Sequence, residues 1–243
     1  MTADHEVLVS ASILNADFSR LDRVVHKMER AGADRLHLDV MDGHFVDNIT
    51  FGPDVVAAFR RLTSMPLDIH LMISEPARYM DRFIAAGPQT ISFHVETTEP
   101  AEAKTAAIAA IHEAGQGAGL AVSPDTPVSA VDPWLEELDV IMNMRVQPGS
   151  GGQGFITETA PKIADARASL GRATAILGAV EGKNPRPPQP GWTRNNMITS
   201  SSTSQGTTAD TGVSGLSARP APGPATRKAA MASVIANSGA TVS

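Results

Sequence analysis

At 243 residues and 42% apolar content, the chain is long enough for one barrel-sized core, and it carries no run of about 18 apolar residues that would span a bilayer. A formal net charge of -6 argues against a general nucleic-acid binder, which needs a basic face to displace counterions, but leaves room for a small phosphate ester held by backbone N–H groups. The absence of cysteine excludes disulfides and thiolate ligands, so any metal must be held by His, Asp or Glu.

The opening MTADHEVLVS has neither a basic region followed by an apolar stretch nor a small-residue cleavage site, and predicts a cytoplasmic protein without a secretory signal. From residue 7 to about 170, short β-rich runs alternate with amphipathic helical stretches, the pattern of repeated βα units around a parallel sheet. Strands are predicted near 7–13, 35–41, 67–73, 90–95, 117–122 and 139–146. The first helix has an apolar stripe of Phe18, Leu21, Val24, Val25, Met28 and Ala31, with Asp17 to cap its start and Gly32 to end it. Further helices are predicted near 53–62, 77–86, 101–114, 128–137 and 157–170. Regular βα units reach about residue 181; 182–227, rich in Pro, Ser, Thr and Gly, reads as irregular or disordered, and 228–237 as a last helix of the same single domain, 1–243. TAILGAV at 174–180 and the weaker TGVSG at 211–215 are the remaining strand candidates. Unless they pair, the first and sixth strands keep exposed edges.

The strands carry the chemistry. A period of two puts His37, Asp39 and Met41 on one face of the second strand and Leu36, Leu38 and Val40 on the other. The apolar face belongs under the helices, so an imidazole and a carboxylate point into the barrel, where they need partners. The same rule groups Asp68, His70 and Met72 on the third strand, and Ser92, His94 and Glu96 on the fourth. A single inward histidine is ordinarily a hydrogen-bonded core residue. His-x-Asp followed by an inward histidine on the next strand reverses that expectation, because two imidazoles and a carboxylate make a first shell for a divalent ion. His94 suits either a core hydrogen bond or a substrate contact. On the sixth strand Met142, Met144 and Val146 share one face, leaving Asn143 and Arg145 on the face that packs under helices, where Arg145 must snorkel or find a partner. The run PGSGGQG at 148–154 follows that strand, and its glycines would let backbone N–H groups approach a phosphate, although glycine-rich loops are common.

The strings VSASILNADFSRL, HLDVMDGHFVDNITFGP, DIHLMI, FHVE and PGSGGQGF resemble the motifs of the ribulose-phosphate 3-epimerase family over about residues 7–165. The resemblance implies an α/β fold, a (β/α)8 TIM barrel of the ribulose-phosphate-binding type, here with an irregular or incomplete C-terminal part. It implies that Asp39 is both metal ligand and proton acceptor, that His37 and His70 complete the ligand set, and that the ion is one divalent metal such as zinc, manganese or iron. Ser12, His70 and the glycine loop of Gly149, Ser150, Gly151 and Gly152 would contact a small sugar phosphate, and Met41, Met72 and Met144 would cap the reacting centre. A homo-oligomer is also implied, with no nucleic-acid or membrane partner.

The implied reaction interconverts D-ribulose 5-phosphate and D-xylulose 5-phosphate. Inverting a carbon next to a ketone removes a proton from one face and returns one to the other, so two acid–base groups must flank it. A metal would stabilise the enediolate between the two transfers, and apolar methionines would keep water away. The chain departs from the family at the second base, an aspartate in a Val-Asp-Gly-Gly context that is missing here; Glu181 in AVEGKNP stands nearest. The second half of the phosphate grip has only an echo in Gly215 and Ser217, and Ser150 replaces the loop's usual aromatic residue. These departures raise a rival expectation of a catalytically impaired barrel that binds metal or sugar phosphate. A metal-dependent hydrolase built on His37, Asp39 and His70 is the third reading, less suited to a methionine lid that excludes water.

Overall fold

Parallel strands cannot be joined by tight hairpins, and in this chain helical crossovers carry one strand to the next. A computed structural model describes residues 7–169, 174–176 and 230–234. Its strands are β1 (Val7–Ser12), β2 (Arg35–Met41), β3 (Leu67–Met72), β4 (Thr90–His94), β5 (Gly117–Val122), β6 (Val140–Asn143), β7 (Thr174–Ile176) and β8 (Ala230–Val234). All paired neighbours are parallel, in the order β7-β6-β5-β4-β3-β2-β1-β8. The two ends of that order, β7 and β8, bring Cα atoms within 8 Å of each other, so the sheet curls round as a TIM barrel.

The helices are α1 (Leu21–Arg30), α2 (Pro53–Leu62), α3 (Pro76–Ala85), α4 (Ala101–Glu113) and α5 (Pro161–Ser169). Each of α2 and α3 starts on a proline, where the missing N–H has no intrahelical partner to lose. Their apolar sides meet the outward side chains of the sheet. Leu36, Leu38, Leu67, Ile69, Leu71, Ile91 and Phe93 pack in one core with Val25, Val56, Phe59, Met80, Phe83, Ile108 and Ile111. Burying each such side chain contributes about 1.5–3 kcal/mol. No helix among the described residues is long and apolar enough to cross a membrane.

Several elements differ from their sequence-based expectation. The first helix begins as a short 3-10 turn, Phe18–Arg20, whose start Asp17 caps by accepting from Ser19 N at 3.0 Å. Phe18 is exposed and meets Phe51 edge-on, centroids 5.7 Å apart, and Ala31 is exposed too, so only the middle of the expected stripe enters the core. The stretch 128–137 is a 3-10 helix, because Pro133 within it cannot donate to the preceding turn. The stretch 157–170 divides into a 3-10 turn, Thr157–Thr159, and α5. The sixth strand is shorter than 139–146, ending at Asn143 before the Pro148 and Gly149 turn region. The expected helix at 228–237 holds the strand β8 instead: its backbone pairs with β1 from Val7 to Ala11, covering an edge that would otherwise lack partners. TAILGAV supplies β7 over Thr174–Ile176, and this strand covers the edge of β6. The candidate strand 211–215 lies outside the described residues.

On β6 the alternation holds and its awkward consequence is real. Met142 packs with Met144, Val146 and Ala121, while Asn143 and Arg145 are buried. Arg145 places its guanidinium 3.8 Å over the centroid of the Phe155 ring, a cation–π partner, and burial pushes its pKa down to about 10.

Candidate active site

Register decides which inward side chains meet. Asp39 on β2 is paired with His70 on β3, and Met41 with Met72, so the carboxylate–imidazole pair and the two methionines form successive rungs on adjacent strands. His37, Asp39 and His70 can each offer one ligand atom, and these atoms all lie within 4.8 Å of one another. Asp39 Oδ1 is the centre of the group, 3.2 Å from His37 Nε2 and 3.1 Å from His70 Nδ1. Its other oxygen accepts from Ser12 Oγ at 2.9 Å, so Ser12 touches the central carboxylate itself. The three residues are buried, the two imidazoles completely.

Each histidine is oriented from behind. His37 Nδ1 lies 2.9 Å from Asp68 Oδ2, an oxygen that also accepts from Ser10 Oγ at 3.2 Å. His70 Nε2 lies 2.9 Å from His94 Nε2, and His94 Nδ1 lies 2.8 Å from Glu96 Oε2. Carboxylates placed behind ligating imidazoles fix the ring and the tautomer, which is the usual support of a metal-binding histidine.

Electrostatics point the same way. Burial alone would lower the His37 pKa, but the Asp39 and Asp68 carboxylates hold it up at about 10. Burial would raise Asp39; His37 and His70 override it and hold the carboxyl far below the usual range. His70 is pushed down to about 4, by burial first and then by its histidine neighbours, against the pull of Asp39. The site therefore demands positive charge near Asp39. His37 Nε2 is buried and lacks a hydrogen-bond partner, being close to Asp39 without the geometry of a bond. An orphaned ring nitrogen, a central carboxylate and a second imidazole fit a divalent ion, with His37, Asp39 and His70 as its holders.

The glycine loop follows β6. Gly149 has φ +109, which strains any residue with a side chain, and a Cβ there would approach Val46 Cβ to 3.0 Å. Its carbonyl accepts from Asn48 Nδ2 at 2.8 Å, so the segment after β2 is tied to the loop. Gln153 Nε2 braces the loop from within, donating to the carbonyls of Gln147 at 2.6 Å and Ser150 at 2.7 Å. Gly152 adopts φ +75. Met144 belongs to the small apolar cluster with Ala121, Met142 and Val146. Glu181, Gly215 and Ser217 lie outside the described residues.

Alternation alone did not expose Asp68 and Glu96 as orienting carboxylates, or Phe45, whose ring lies 4.8 Å from that of His94. Asp68 and Glu96 were placed on the right faces; their roles needed the distance across strands. Nothing in the local pattern marks Phe45 or Asn48.

Comparison with known proteins supplies the family. The family described as "Ribulose-phosphate 3 epimerase family" matches residues 8–183. The chain is 45% identical over 161 residues to ribulose-phosphate 3-epimerase of Bacillus subtilis, an alignment covering 66% of this chain and 73% of that one. It is 48% identical over 158 residues to the enzyme of the same name from Synechocystis, covering 65% and 68%. Among solved structures, a mutant tryptophan synthase alpha-subunit from Pyrococcus furiosus superposes with a TM-score of 0.51 at 11% identity, over 72% of this chain and 77% of that one, a likeness of fold alone. The chain belongs to the ribulose-phosphate 3-epimerase family of carbohydrate isomerases.

Proposed function

We propose that the chain is a metal-dependent epimerase that interconverts D-ribulose 5-phosphate and D-xylulose 5-phosphate by proton transfer at C3. The observation that carries this reading is the buried His37–Asp39–His70 group, with an orphaned ring nitrogen and a central carboxylate. A divalent zinc, manganese or iron ion held there would polarise the substrate ketone and stabilise the enediolate. Asp39 is ionised at neutral pH and takes the C3 proton on its own face of the sugar. Ser12 holds the carboxylate through Oδ2. Met41, Met72 and Met144 exclude water from the enediolate, and the Gly149–Gly152 loop receives the phosphate through backbone N–H groups. Glu181 is the candidate acid–base group for the opposite face. The protein would act in the cytoplasm as a homo-oligomer.

A second reading, a barrel that binds metal and sugar phosphate but turns over poorly, is favoured by the absence of a Val-Asp-Gly-Gly string from the sequence. The test is an epimerase assay with added zinc, manganese or iron beside Asp39→Asn. The expected result is turnover by the wild type and a fall of about 10²–10⁴-fold in the variant. Folded protein that binds metal without turnover would replace the first reading by the second.

A further inference from the structure

The fourth strand supplies a histidine, and the turn after it a glutamate, that no step above uses. We infer that Glu96, acting through His94, is a positioning residue that selects the tautomer of His70 and so leaves His70 Nδ1 bare toward Asp39. The inference rests on reading His37, Asp39 and His70 as the holders of an ion.

An ionised carboxylate can only accept, so Glu96 Oε2, 2.8 Å from His94 Nδ1, requires the proton of neutral His94 to be on Nδ1. His94 Nε2 is then an acceptor. It lies 2.9 Å from His70 Nε2, which must therefore donate. A neutral His70 protonated at Nε2 carries its lone pair on Nδ1, the nitrogen 3.1 Å from Asp39 Oδ1. The opposite set of tautomers is sterically identical. In it His94 donates from Nε2, His70 accepts there, and His70 Nδ1–H donates to Asp39, closing the nitrogen that an ion would need. The charge on Asp39 favours this second set, and an ion held between Asp39 and His70 Nδ1 would remove that pull; the charge on Glu96 favours the first set and so offsets Asp39.

Glu96 is itself held as an acceptor. Its Oε1 receives Ser123 N at 2.6 Å. Lys162 Nζ fastens the same turn, donating to the carbonyls of Ser123 at 3.2 Å, Thr126 at 2.5 Å and Pro124. Burial would raise the Glu96 carboxyl, but hydrogen bonds from His94, Thr126 and Ser123 hold it down at about 2. The Phe45 ring lies against the His94 imidazole. His37 has the corresponding support in one step from Asp68, and His70 receives it in two.

Glu96→Gln separates charge from shape. Ser123 N–H retains the amide oxygen, so the amide NH2 faces His94 Nδ1 and imposes the wrong tautomers. The experiment titrates Zn2+ alone into the full-length wild type, His70→Ala, Glu96→Gln and Glu96→Asp, and records imidazole 15N spectra of the metal-free proteins. We expect Zn2+ affinity to fall about 10–100-fold in Glu96→Gln, with the His94 proton moved from Nδ1 to Nε2, and Glu96→Asp to recover the Nδ1–H form. Wild-type affinity and an unmoved proton in Glu96→Gln would overturn the inference and leave the metal reading standing. A wild type that does not bind Zn2+, or binds it equally well as His70→Ala, would overturn that reading and the inference with it. Should Glu96→Gln fail to fold, the wild-type spectrum decides, since a His94 protonated at Nε2 overturns the inference.

Discussion

On β2, β3 and β4 each inward histidine is backed by a polar partner from another position: His37 by Asp68, His70 by His94, and His94 by Glu96. At the end of β6 and just after it, Asn143 and Arg145 are buried and poorly served. Neither amide atom of Asn143 has a hydrogen-bond partner among the described residues, and Arg145 leaves Nε unpaired while its guanidinium stacks on Phe155. Burial is equally complete in the two regions and both leave orphan atoms, His37 Nε2, Asp68 Oδ1 and Ser92 Oγ in the first. What distinguishes them is that each of the three histidines keeps at least one bonded ring nitrogen, whereas Asn143 keeps no bonded side-chain atom among the described residues. Polar groups satisfied across strands build a site, whereas polar groups left between sheet and helices cost stability and gain nothing evident.

That contrast is open to measurement, and Asp68 tests it hardest. Asp68→Ala leaves His37 Nδ1 and Ser10 Oγ without their shared acceptor and should destabilise the metal-free protein by about 3–5 kcal/mol in urea unfolding. A loss below 1 kcal/mol would mean that the network on β2 and β3 is no better bonded than β6. Gly119 sits at the boundary of the two regions. A Cβ there would press on Ser92 Oγ and come within 3.1 Å of Val140 Cβ, so Gly119→Ala should cost about 1–3 kcal/mol by overpacking, read in the same assay. Asn143→Leu should do the reverse and raise stability by about 1 kcal/mol, because it removes two unpaired amide atoms from an apolar layer; destabilisation would reveal a partner for Asn143 and erase the contrast.

The smallest effect concerns the turn after β2. Burial would raise the Asp42 carboxyl, but it accepts from Ser74 N at 2.8 Å and from Phe45 N and His44 N at 2.9 Å, which hold its pKa down at about 2. A folded-state pKa below the unfolded one contributes stability that is fully present above about pH 4 and is lost as pH falls toward 2. Wild type should therefore lose more stability than Asp42→Asn across that acid window, followed by thermal unfolding at each pH. Parallel pH curves would show that the turn does not depend on this carboxylate.

Much of the barrel was legible because strand alternation and helical amphipathicity are local signals. The second strand shows it well: its bounds, Arg35–Met41, and its two faces follow from seven residues. Local signals fail where a distant partner decides. The run AMASV has small residues compatible with a helix, and its pairing with β1 makes it a strand. Pro133 turned a predicted helix into a 3-10 helix although its effect could have been read directly. At the site, alternation put His37, Asp39 and His70 inside, but the register that sets Asp39 beside His70 belongs to the assembled sheet. The roles of Asp68 and Glu96 were hidden for the same reason, since a face is a property of one strand and a hydrogen bond a property of two.

The proposed reaction stands or falls on Asp39 moving the C3 proton. Exchange of solvent deuterium into C3 by the zinc-loaded protein is to be followed on D-ribulose 5-phosphate and on D-xylulose 5-phosphate separately, because one base reaches the C3 proton of one epimer only, and this half-reaction registers its removal even when return to the other face is slow. We expect the wild type to exchange C3 of at least one epimer and Asp39→Asn, with Zn2+ still bound, to lose that exchange. Undiminished exchange in Asp39→Asn, or none in a wild type that binds both Zn2+ and substrate, would contradict it.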